Sequence, residues 1–182
     1  MHFEQESVKF VKSSRNIGFP IGKKTHTVRT PQSVIDTGNA VIFGAFLRGY
    51  FDADGSLSFQ RRKRGGYGEF KRTYHYYPRL FLESASKDLI HFDIKNMLDS
   101  TNFRHRIYNR TKLEGKYLSY AAVMKGPAQL DLWIKEIGFS NPVHLTKYHV
   151  WKRFGFCPPR TTLNQRLVML SGKLDPKTFY EN

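Results

Sequence analysis

The sequence predicts an α+β fold in which helix, strand, strand, helix, strand, strand and helix follow one another between about residues 39 and 138. Three observations carry that expectation. Apolar residues change from helical spacing to a period of two directly after Gly55. Turn signals at Gly65-Gly66-Tyr67-Gly68 and around Glu114-Gly115 each join two alternating segments into a hairpin. Helical patterns restart at Ser86 and at Gly126-Pro127, each with a residue suited to open a helix. The chain accordingly divides into an N-terminal extension (1–38), a core (39–141) and a C-terminal helical extension (142–182).

The first 36 residues are basic and mixed in pattern, punctuated by Gly18, Pro20, Gly22 and Pro31, and read as an extension packed on the main body. From Asn39 to Ala53 the pattern is helical, with Asn39 suited to the N-cap and Gly55 to the stop. Phe43, Phe46, Leu47 and Tyr50 recur at i, i+3, i+4 and i+7, the spacing of a core-facing stripe. Ala45, Gly49 and Ala53 form a ridge of small residues on the opposite side, where another helix backbone can approach closely. A glycine inside a helix costs about 1 kcal/mol relative to alanine, so Gly49 requires a compensating contact.

Beyond Gly55, Leu57 and Phe59 alternate with Ser56, Ser58, Gln60, Arg62 and Arg64, giving one apolar and one cationic strand face. A returning strand runs from Glu69 to Glu83, followed by a helix from Lys87 to about Ser100 with Leu89, Ile90, Ile94, Met97 and Leu98 as its stripe. The second hairpin pairs Arg104–Arg110 with Tyr117–Met124, and a third helix spans Ala128–Ile137. Further helices are expected over Leu145–Arg153 and, capped by Thr162, over Leu163–Leu170, ahead of a polar tail.

Composition narrows the function. Thirty Lys and Arg against 15 acidic residues give a net charge of +15, a field that attracts polyanions. No segment approaches the ~20 apolar residues of a membrane span, so a membrane is not an expected partner. Cys157 is the sole cysteine, which excludes an internal disulfide and suits a reducing, intracellular, cytoplasmic setting. His75, His105, His144 and His149 are too scattered for a zinc site, and no phosphate-binding glycine loop or serine elbow occurs.

One detail remains unexplained by fold physics. Asp52 and Asp54 close the first core helix, where the macrodipole already places negative partial charge. The stretch Leu47 to Gly55, L-R-G-Y-F-D-A-D-G, resembles the signature of the LAGLIDADG homing endonucleases, and the element order over about residues 39–138 is similar to that family's. Gly138–Phe156 looks most like archaeal intron-encoded members. The resemblance implies an αββαββα core with a curved antiparallel β-sheet saddle over DNA. It also implies that two such helices pack together, each delivering one acid. With one motif copy here, the implied state is a homodimer docked through Ala45, Gly49 and Ala53.

The resemblance further implies that Asp54 is the metal-binding, catalytic acid, with Ala53 adding its backbone carbonyl, and that Mg²⁺ is the cofactor, with Mn²⁺ or Ca²⁺ able to replace it in binding. Asp52 reads instead as structural. Lys125 matches a basic residue that orients water or stabilises phosphate charge, and Glu83 is a weaker third catalytic candidate because the strand register there is ambiguous. A β-ribbon fits the major groove. Alternation then selects Ser58, Gln60, Arg62, Arg64, Lys71, Thr73, His75, Tyr77, Arg79, Arg104, Arg106, Tyr108 and Arg110 as DNA-facing. The implied activity is cleavage of both strands of a long, near-palindromic duplex with short 3′ overhangs. The alternative is a non-catalytic intron RNA maturase or DNA-binding regulator on the same fold; RNA itself is not specifically indicated.

Overall fold

The computed structural model describes residues 26–61, 74–111 and 118–181. Helix α1 (Gln32–Ile35) leads into α2 (Ala40–Asp54), and strands β1 (Ser56–Gln60) and β2 (Tyr77–Ser84) follow. A π-helical segment (Leu89–Ile94) runs into α3 (Lys95–Ser100). Strands β3 (His105–Thr111) and β4 (Leu118–Lys125) come next, then α4 (Pro127–Glu136), α5 (Pro142–Phe154), α6 (Leu163–Leu170) and a 3₁₀ turn (Pro176–Tyr180). The four strands form one antiparallel sheet in the order β1-β2-β4-β3. This is the α+β class and the element order expected from the sequence.

Local chemistry sets most boundaries. The Asn39 side chain accepts from the amides of Val41 and Ile42 and opens α2. Thr162 and Gln165 exchange a reciprocal capping box at the start of α6, as the Thr162 cap predicts. Helix α5 starts earlier than the apolar pattern indicates, because Asn141 caps it and Pro142 occupies the first helical position, where no amide is needed.

The core joins α2, the inner sheet face and the helices in one apolar cluster that continues into Val150, Trp151, Cys157 and Met169 of the C-terminal segment. The buried side of α2 is Phe43, Gly44, Leu47 and Phe51. Phe46 and Tyr50 are only half-buried and stack on each other, so the expected stripe is rotated toward Phe51. Phe51 sits among Trp133, Phe139 and His144, with ring centroids 4.9, 5.1 and 5.0 Å away. Between α2 and β1, Gly55 is required by space and not by dihedral: its φ is −77°, but a Cβ there would lie 2.5 Å from both Cγ and the carbonyl oxygen of Phe51. Gly55→Ala is therefore expected to lower the unfolding free energy by about 1–3 kcal/mol, the range for overpacking, read from the urea midpoint.

Two features escaped the sequence pattern. Asp93 is buried in the π-helical segment and receives Arg29 Nε at 2.9 Å, Arg29 Nη2 at 2.6 Å and the Thr30 amide at 2.9 Å, which tethers the N-terminal segment to the core. The expected polar tail is instead folded: Tyr180 packs on Tyr74, His75 and Phe156.

Candidate functional site

Cross-strand partners lie on the same face of a sheet, so the register divides the side chains into two sets. Leu57, Phe59, Leu80, Leu82, Ala122 and Met124 face the core. The opposite face carries Ser56, Ser58 and Gln60 of β1, Tyr77, Arg79, Phe81 and Glu83 of β2, Lys125 of β4, and Arg106, Tyr108 and Arg110 of β3. Ala121 and Val123 of the inner strand β4 are also on this face, yet buried.

Seven of the residues expected to face DNA thus share one surface: Ser58, Gln60, Tyr77, Arg79, Arg106, Tyr108 and Arg110. Arg104 is exposed but precedes β3, and its amide donates to Gln129 Oε1 at 2.9 Å. Arg62, Arg64, Lys71 and Thr73 lie outside the described residues. His75 departs from the expectation. It precedes β2, its Nδ1 lies 3.0 Å from the Tyr180 hydroxyl, and its carbonyl accepts from the Cys157 amide. The alternating pattern does not continue through His75 because the C-terminal segment, distant in sequence, captures it.

Arg79 pairs across β2 and β4 with Lys125, and across β1 with Ser58. Its guanidinium lies 4.4 Å from the Phe81 ring centroid, and its Nε is buried with no hydrogen-bond partner among the described residues. Burial, opposed by the Tyr108 phenol and aided by Arg110, pulls its pKa below the usual arginine value. Lys125 leans along the sheet: its Nζ donates to the Tyr108 hydroxyl at 2.9 Å and lies 5.0 Å from that ring's centroid. That hydrogen bond, with the nearby charges of Lys125 and Arg106, lowers the Tyr108 pKa.

The register ambiguity at Glu83 is resolved: it pairs with Ala121 and points to the cationic face. Both carboxylate oxygens are already engaged, one by Arg110 Nη1 and the other by Ser119 Oγ at 2.7 Å. Glu83, expected from its place at the strand end to be a third catalytic contact, thus forms an ion pair that holds Arg110. The Glu83 carbonyl also accepts the Tyr50 hydroxyl at 2.9 Å. Burial, joined by the charges of Asp54 and Glu83 and opposed by a hydrogen bond with Ser84, drives the Tyr50 pKa up to about 12.

The two acids of α2 have different surroundings. Asp52 Oδ2 accepts the Ser140 amide at 2.8 Å and its carbonyl accepts Asn141 Nδ2 at 2.9 Å, so Asp52 fastens the α4–α5 connection to α2. Asp54 is exposed, and among the described residues no hydrogen bond or ion pair engages its carboxylate. Ala53 precedes it on the last turn, where helix carbonyls lack intrahelical partners. No group of three or more His, Cys, Asp or Glu side chains able to hold a metal occurs among the described residues. A carboxylate and a carbonyl suit a hard cation such as Mg²⁺, but one chain supplies only part of a coordination shell.

The ridge Ala45, Gly49 and Ala53 is exposed along α2, together with Val41 and Ile42. A Cβ built on Gly49 meets nothing within 4 Å among the described residues, so none of their contacts requires the glycine. The glycine of α2 that packs internally is Gly44, whose Cβ would lie 3.8 Å from the Glu136 carbonyl oxygen. Cys157 is buried and its thiol is raised to about 11 by desolvation, which leaves it inert as a nucleophile at neutral pH. No helix among the described residues is long and apolar enough to cross a membrane.

Comparison with known proteins bears on this site. No curated protein matches the chain. Among solved structures it is similar to that of the homing endonuclease I-CvuI in complex with its target in the presence of 2 mM Ca, at 15% identity and a TM-score of 0.44, covering 79% of this chain and 85% of that one. A likeness at that score carries no argument. A family model matches more directly, over somewhat less than half of the chain. Residues 44–126, from the middle of α2 to the end of β4, match the LAGLIDADG-like domain, and the helix that begins the match is the one that ends in Asp54.

Proposed function

We propose that the chain is a homodimeric, metal-dependent endonuclease that cuts both strands of a long, near-palindromic DNA site and leaves short 3′ overhangs. The observation that carries this reading is the single helix α2, which exposes the Ala45-Gly49-Ala53 ridge and ends in the uncommitted carboxylate of Asp54. The LAGLIDADG-like match over residues 44–126 supports it, as does the cationic sheet face beside that helix. In this reading residues 39–141 form the endonuclease core, and 1–38 and 142–182 are extensions to it. The likeness of Gly138–Phe156 to archaeal intron-encoded members rests on the sequence alone.

Twofold packing of α2 on its mate brings two Asp54 side chains, each with a neighbouring Ala53 carbonyl, to the centre of the dimer. The Asp54 carboxylates and Ala53 carbonyls would hold Mg²⁺ there, and the bound ion would supply activation of the attacking water and stabilisation of the leaving oxygen. Lys125, held by Tyr108 and adjacent in register to Arg79, places positive charge toward the phosphate. Arg106, Arg110 and Gln60 read base edges or bind backbone oxygens, with Glu83 fixing Arg110.

The test is a cleavage selection on duplexes with a randomised segment, with Mg²⁺ or with EDTA. Discrete double-strand breaks at one recovered sequence are expected with Mg²⁺ and none with EDTA. If no duplex is cut with either Mg²⁺ or Mn²⁺, the endonuclease reading falls and the non-catalytic alternative takes its place.

A further inference from the structure

At the free edge of β1, the C-terminal segment encloses a cavity of about 230 Å³ lined by Leu57, Ser58, Lys147, Cys157, Arg160 and Thr161, among others. Strand β1 is an outer strand of the sheet and, among the described residues, pairs only with β2. Lys147, more than half buried, crosses to that edge and donates from Nζ to the Leu57 carbonyl at 3.0 Å. Arg166, almost wholly buried behind it, spends its guanidinium on the Thr161 carbonyl, Thr146 Oγ1 at 2.9 Å and the Val143 carbonyl at 3.5 Å. Arg160 lines the cavity and is exposed, with no hydrogen bond or ion pair among the described residues.

Lys147 and Arg160 thus line the cavity, Arg166 acts on Lys147 from beside it, and every acceptor that Lys147 and Arg166 use is a neutral oxygen. Among the described residues no carboxylate pairs with Lys147, Arg160 or Arg166. Burial lowers the Lys147 pKa and Arg166 lowers it further, consistent with a site short of negative charge. The backbone carries a second sign of specialisation. Arg160 has φ +57°, in the left-handed region that non-glycine residues seldom occupy. It follows Pro158-Pro159, and Thr161 Oγ1 donates back to the Pro158 carbonyl at 3.2 Å, so a stiff loop holds the unfavourable conformation. Ser58 connects the cavity to the site already described, because it lines the cavity and faces the same side of the sheet as Arg79.

We propose that this cavity is a phosphate seat, in which Lys147 and Arg160 bind an oxyanion of a nucleic-acid backbone running past the β1 edge. The proposal rests on the DNA-binding reading above for the source of that phosphate, but its chemistry is that of any phosphate group. The seat adds affinity without sequence information, since backbone contacts position a duplex and base contacts specify it.

Arg160→Gly tests it cleanly, because glycine adopts φ +57° without strain and the variant is expected to be at least as heat-stable as wild type. Binding of a labelled duplex would be followed by anisotropy across a KCl series. Arg160→Gly is expected to weaken specific and non-specific duplexes alike, and to make the slope of log K against log[KCl] shallower by about 0.9, one phosphate contact. Lys147→Gln, which retains a donor for the Leu57 carbonyl, should weaken binding in the same way. An unchanged slope in both variants overturns the seat while leaving DNA binding intact. A parallel thermal titration with inorganic phosphate separates the two readings. Stabilisation of wild type but not of Arg160→Gly, with no duplex bound by either, would keep the seat and refute the DNA-binding reading.

Discussion

Asp54→Asn should abolish cleavage while leaving duplex binding nearly unchanged. Asp54 is exposed, ends α2, and has no hydrogen-bond or ion-pair partner among the described residues, so its replacement by the isosteric amide removes nothing the fold uses. A neutral amide there should also relieve a small repulsion with the helix dipole, leaving stability equal or slightly raised. What it removes in the proposed mechanism is the anionic oxygen that binds a hard cation. Loss of that ligand costs several kcal/mol of transition-state stabilisation, on the order of 10³-fold in rate or more. Single-turnover cleavage beside anisotropy on the same duplex would check it. Cutting by Asp54→Asn at the wild-type rate with Mg²⁺ would show that the acid is not catalytic. Asp52→Asn makes the contrasting case: the loss should appear mainly in stability, because Asp52 Oδ2 holds the Ser140 amide and its carbonyl holds Asn141.

Gly49→Leu should convert a dimer into a monomer, and the physical argument depends on the sign of its effect. Among the described residues of one chain nothing lies within 4 Å of a Cβ at Gly49. If the chain acted alone, leucine would therefore stabilise α2 by about 0.5–1 kcal/mol through helix propensity. If a second α2 packs against the Ala45-Gly49-Ala53 ridge, leucine instead prevents the close approach that small residues permit. Sedimentation velocity is expected to show wild type as a dimer and Gly49→Leu as a folded monomer that makes no double-strand break. A monomeric wild type, with Gly49→Leu more stable and fully active, would refute the dimer and leave Gly49 without a role.

How much was legible beforehand follows from the range over which each signal acts. The caps at Asn39 and Thr162, the alternation in β1 and the stripe Leu89, Ile90, Ile94, Met97 and Leu98 are written within a few residues, and each was placed correctly. Alternation also selected a set of cations for one sheet face, because the side-chain period of a strand is fixed by its backbone. It failed at His75, where the pattern continues in sequence but the strand does not, since Tyr180 and Cys157 occupy the backbone and ring of that residue.

The sequence by itself determined that acids end α2, that small residues line its outer side, and that two basic hairpins follow. Only the tertiary structure decided what each polar group is used for. Asp52 is spent on Ser140 and Asn141, Glu83 on Arg110 and Ser119, and Asp54 on no described residue. The same holds for Lys147, whose helix position says nothing of the β1 carbonyl it reaches. The physical reason is that periodicity records which side of an element is apolar. The partner of a polar side chain is set by register and packing between segments distant in sequence, about which a local pattern carries no information.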